Sequence, residues 1–79
     1  MPLYYFHLLD GTDVLLDPEG RELANDDAAR LAALKEARSL IAQDALNGDI
    51  NLAQRPEIFD QSGALIHTVA FRDAVSIRQ

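Results

Sequence analysis

The 79-residue chain has no cysteine, which excludes disulfides, thiolate chemistry and cysteine-ligated metal. Basic residues are few, 7 against 13 acidic, for a net charge of −6. Nucleic acid repels that balance unless the cations cluster, because affinity for the backbone comes from neutralising phosphates. Arg21, Arg30, Lys35, Arg38, Arg55, Arg72 and Arg78 are dispersed, and only Arg30, Lys35 and Arg38 share a predicted helix. No nucleic-acid partner is expected, and an anionic membrane surface is disfavoured for the same reason. No apolar run approaches the about 20 residues that span a bilayer. The first residues also lack the basic region and apolar stretch of a signal peptide. The expected location is therefore cytoplasmic, with no membrane partner.

Grouped chemistry is missing as well. His7 and His67 are the two histidines, and no His-x-x-x-His or similar spacing supplies the further ligands a metal needs. Asp10, Asp13, Asp17 and Glu19 lack the close carboxylate spacing and terminal bidentate glutamate of a calcium loop. Gly11, Gly20, Gly48 and Gly63 stand singly, so no glycine-rich loop cradles a phosphate. Ser39, Ser62 and Ser76 have no nucleophile elbow and no base beside them in the sequence. No catalytic residue, cofactor or metal is expected, and the chain reads as a non-enzyme.

Aromatics make up only 6% of the chain, yet they crowd its start. Leu3-Tyr4-Tyr5-Phe6-His7-Leu8-Leu9 holds both tyrosines, one of the three phenylalanines and one of the two histidines. Closed by Asp10-Gly11, the run reads as a strand. Tyr4, Phe6 and Leu8 fall on one face and Leu3, Tyr5, His7 and Leu9 on the other, so both faces are largely apolar. Asp10-Gly11-Thr12-Asp13 is a turn, with Val14-Leu15-Leu16 as a returning strand. Asp17-Pro18-Glu19-Gly20 is a second turn, before a short extended Arg21-Glu22-Leu23.

A long helix is predicted next. Asn25 is its N-cap, and Asp26 and Asp27 supply the negative charge its dipole favours. Asp26 is also placed to pair with Arg30. Gly48 ends the helix, and Ala29, Ala33, Leu34, Ala37, Leu40 and Ile41 form its apolar stripe. After a polar connector from Asp49 to Arg55, Glu57-Ile58-Phe59 reads as a strand and Asp60 to Gly63 as its turn. Ala64 to Phe71 reads as the last strand, with Leu65, His67, Val69 and Phe71 alternating against Ile66, Thr68 and Ala70. His67 is then a partly buried histidine of the Val69 row.

The predicted class is α+β in the order β-β-α-β-β, a single domain over residues 1–79 with one long helix on a small, mainly antiparallel sheet. Four strands span about 19 Å, whereas one helix is about 10 Å across. The helix covers one face incompletely and the other not at all. Leu3, Tyr5, His7, Leu9 and Ile66, with Val14 or Leu16 beside them, are the candidate interface of that second face. A homodimer, sheet to sheet or edge to edge, is the expected assembly, and another protein is the other partner weighed.

Motif order adds a resemblance. Tyr4-Tyr5-Phe6-His7…Asp10-Gly11, Asp17-Pro18-Glu19-Gly20-Arg21-Glu22-Leu23, the alanine-rich helix, Asp60…Gly63 and Val69-Ala70-Phe71-Arg72-Asp73-Ala74 resemble a family of short bacterial proteins known only as a domain of unknown function. That likeness covers nearly the whole chain and implies the fold plan, without functional residues. A weaker likeness is to HicB-type antitoxins, carried by Gly20 and the stretch from Asp27 to Leu40. It implies an acidic, antitoxin-like inhibitor that masks a basic protein.

Overall fold

The aromatic run becomes an interior strand of the sheet. The computed structural model describes residues 1–78, and β1 occupies Leu3–Asp10. Strand β2, Asp13–Leu15, returns across the two-residue turn Gly11-Thr12 and sets Leu8 opposite Leu15 and Leu9 opposite Val14. Gly11 opens that turn at φ +62°, a conformation open to glycine at little cost. Leu16, predicted in the strand, lies just past its end.

Strand β3, Arg21–Glu22, pairs with the same edge of β1, opposite Tyr4 and Leu3. Between β2 and β3 the chain leaves the ladder, and Asp17 replaces the missing strand. Its Oδ2 accepts the Phe6 N–H at 3.1 Å, and its Oδ1 accepts the Glu19 and Gly20 N–H groups at 3.3 and 3.1 Å. A side-chain carboxylate thus satisfies a strand donor that a neighbouring carbonyl would otherwise take. Gly20 sits at φ +74°, and a Cβ there would lie 2.9 Å from the Tyr4 carbonyl oxygen.

Helix α1 spans Asp26–Leu46, capped by Asn25, whose Oδ1 accepts the Ala28 N–H at 2.8 Å. At its far end the Gly48 N–H reaches the Ala45 carbonyl and the Asp49 N–H reaches the Asp44 carbonyl, with Gly48 at φ +79°. These are the paired bonds of a Schellman stop. Asp26 does not pair with Arg30 as predicted. It accepts the Tyr4 hydroxyl at 2.7 Å, and Arg30 turns to Asp27 at 2.8 Å. A strand tyrosine within reach outcompetes the local pair on an exposed helix face.

Strand β4 runs Gln54–Asp60, longer than predicted, and pairs along its whole length with β1. Pro56 is tolerated there because its carbonyl, and hence its nitrogen, face the β5 side beyond the last rung, where the Val69 N–H reaches its oxygen. Strand β5 is only Leu65–Thr68, with an irregularity opposite Ile58 and Phe59. Phe71, predicted as its end, instead begins the short helix α2, Phe71–Ala74.

The result is a five-stranded antiparallel sheet in the order β2-β1-β4-β5, with β3 also on β1 and both helices on one side. Its class is the predicted α+β. The core gathers Tyr4, Phe6 and Ile58 from the sheet, Ala29, Ala33, Ala37 and Ile41 from α1, and Val69, Phe71 and Ala74 from the C-terminal segment. Three fully buried alanines let α1 lie close on the sheet. The Arg38 Nε–H then ties α1 to the Ala74 carbonyl at 2.8 Å. Burying Ile58 or Phe71 contributes about 1.5–3 kcal/mol each.

Candidate interaction surface

The period-2 alternation of β1 decides what each of its side chains meets. Tyr4 and Phe6, 2% and 9% exposed, face the helices. Leu3, Tyr5, His7 and Leu9 are half-buried on the opposite face, as predicted from their spacing. Cross-strand register builds that face into rows. Tyr5 lies opposite Phe59, which lies opposite Leu65. His7 lies opposite Glu57, which lies opposite Thr68, and Leu9 stands between Val14 and Arg55. The His7 ring is tilted 38° against Phe59 at 5.2 Å between centroids and 31° against Tyr5 at 6.3 Å. Offset contacts at these distances hold a sheet surface rigid.

His7 is also tied down from the loop. Its Nδ1 accepts the Asp17 backbone N–H at 3.0 Å, which anchors the ring against the loop. Asp17 therefore holds β1 twice, its carboxylate on the Phe6 backbone N–H at the strand edge and its own N–H on the His7 ring of the open face. Burial opposes ionisation of the Asp17 carboxyl, but the Phe6, Gly20 and Glu19 N–H donors outweigh it and hold the group below the usual carboxylate range. The Ser62 hydroxyl and the Ala64 N–H do the same for Asp60 in the last turn. The Asp26 carboxylate, with burial, pushes the Tyr4 phenol up.

Three expectations, two for this face and one for His67, need correction. Ile66 does not join it; the irregularity in β5 turns its side chain to pack against the buried core. Leu16 borders a groove on the helix side, with Phe6, Leu8 and Leu40, whereas Val14 does stand beside Leu9 on the open face. His67 is exposed and lies opposite Ile58, not in a partly buried row, because the strand ends at Thr68. Phe59, the aromatic at the centre of the face, was not placed by sequence reasoning. Its register with Tyr5 was the missing signal. Among the described residues no three His, Asp or Glu side chains converge to hold a metal ion, and no helix is long and apolar enough to cross a membrane.

Fold and surface together define a small α+β domain whose sheet has one helix-covered face and one open aromatic face. Residues 3–72 match the family described as a domain of unknown function, DUF6894, and the chain belongs to that family. No curated protein and no solved structure matches the chain. None of these findings bears on the antitoxin resemblance.

Proposed function

We propose that this chain is a non-enzymatic interaction module that associates with copies of itself through the open sheet face. The observation that carries the reading is the Tyr5, His7 and Phe59 cluster, flanked by Leu3 and Leu9, on a face that neither helix covers among the described residues. A domain of this size buries a smaller fraction of its surface than a larger one, and association adds the burial it lacks. The charges of the face favour a second copy. Arg55 and Glu57 stand two residues apart on β4, both on this side, so a two-fold axis passing between them sets each against its opposite in the partner. Between chains of net charge −6, such a patch is where approach costs least.

Sedimentation equilibrium tests the reading. The purified chain is expected to hold more than one copy at high micromolar concentration, and Tyr5→Glu is expected to remove the face contact by burying a carboxylate there. A monomer at those concentrations, or an unchanged mass for Tyr5→Glu, overturns it.

A further inference from the structure

The two edges of the sheet are finished differently. On the β2 and β3 side the edge is broken by the loop from Leu16 to Gly20, with Asp17 capping the strand it exposes. The other edge is β5, whose outer side pairs with no strand among the described residues. Natural edges are protected by charge, proline, bulges or covering elements. Leu65-Ile66-His67-Thr68 has no acidic residue, lysine, arginine or proline, and a single irregularity is its protection.

Beside this edge, on the helix side, a groove of about 490 Å³ lies between α1 and β5. Leu31 and Leu34 form its apolar flank, Arg30 stands on one element and Asp73 on another. Leu31 and Leu65 are each 53% exposed, which leaves apolar surface on both sides of the edge for a neighbour to cover. The outward N–H and C=O groups of β5 call for another strand, and the lips of the groove carry opposite charges.

We propose that this edge is a second docking site for another copy of the chain, formed by antiparallel pairing of β5 with β5 of the partner. The two-fold axis of such a pair runs perpendicular to the sheet, so both helix layers fall on the same side and the two grooves meet. Arg30 of each copy then faces Asp73 of the other, the reciprocal pattern of an isologous contact. Four residues of strand alone fall short of the about 1,200 Å² that specific interfaces bury, and the exposed Leu31 flanks add apolar area to the contact. Edge pairing extends the sheet while face contact stacks it. The two are separate, either can fail alone, and together they build a tetramer.

The test is run in a Tyr5→Glu background, where the face contact is absent. Light scattering is expected to show a dimer for Tyr5→Glu alone. Adding Arg30→Glu, or separately Asp73→Arg, is expected to weaken that dimer by at least about tenfold in Kd, because each sets like charges together twice. Mixing the two charge variants is expected to restore a dimer, since the mixed pair is attractive at both contacts. Restoration also shows that both variants are folded. A monomeric Tyr5→Glu chain, an Arg30→Glu variant that dimerises undiminished, or a mixture that stays monomeric overturns the proposal. If instead Tyr5→Glu leaves the wild-type mass unchanged, it is the face contact that fails.

Discussion

Ile58 and Phe59 are neighbours on one strand, and they show how differently the two faces of this sheet are used. Ile58 is fully buried under α1, among alanines that bring the helix close. Phe59 is half-buried, held by Tyr5 opposite and by the His7 ring. Both are large and apolar, but only Ile58 is closed over by the helices of its own chain. One side is packed under a helix and the other is open, so their substitutions are expected to diverge. Ile58→Ala leaves a cavity that the close helix cannot fill, at about 2–5 kcal/mol. Against the roughly 5–15 kcal/mol that hold a typical domain, that loss alone threatens folding. Phe59→Ala is expected to cost the isolated chain about 1 kcal/mol through its cross-strand contacts, and to weaken the proposed face contact by more. Urea unfolding at low protein concentration measures the first difference, and equal losses at both positions would erase the distinction between the faces.

Backbone geometry gives a second, smaller test of what holds the two-sided strand in place. Gly20 takes positive φ directly against the Tyr4 carbonyl, whereas Gly63 takes φ +88° with no atom within 4 Å of where a Cβ would stand. Replacement by alanine carries the left-handed penalty of about 1–2 kcal/mol at both positions. Only Gly20→Ala also forces β3 away from β1, so its loss in thermal stability is expected to exceed that of Gly63→Ala. Equal losses would mean that β3 adds nothing to the anchoring of β1.

Much of the covered face was legible in the sequence because its signals are local. Asn25 and Gly48 mark the helix ends, the alanine stripe has helical spacing, and the alternation of Tyr4, Phe6 and Leu8 against Leu3, Tyr5, His7 and Leu9 needs no knowledge of pairing. What escaped depends on contacts between residues far apart. Asp26 reaches across 22 positions to Tyr4, so its local neighbour Arg30 is a misleading partner. Phe59 acquires a face only once it is set opposite Tyr5. Ile66, His67 and Phe71 follow strict alternation on paper, but one irregularity in β5 and the early turn into α2 break the period. Asp17 reads as an ordinary turn residue, since nothing local announces that its carboxylate will cap a strand 11 positions away.

Asp17 ties the loop to the edge of β1, and pH separates its charge from its shape. Its carboxyl is held below the usual range in the folded chain, so the folded state favours the ionised form relative to an unfolded value of about 3.9. The stability this contributes is present above about pH 4 and is lost as pH falls through the folded value. Hydrogen bonds to an ionised acceptor are worth about 1.5–3 kcal/mol when fully made, and partial exposure brings the expectation for Asp17→Asn to about 1–2 kcal/mol at pH 7. Asp60, shifted in the same direction by Ser62 and Ala64, contributes its own acid limb to both chains and cancels in the comparison. The gap in urea midpoint between wild type and Asp17→Asn is therefore expected to start narrowing as pH approaches about 4 and to close as pH falls through the folded value. A gap that does not narrow at all below about pH 4 would assign the role of Asp17 to the shape of its turn, with geometry and not charge holding the loop to Phe6.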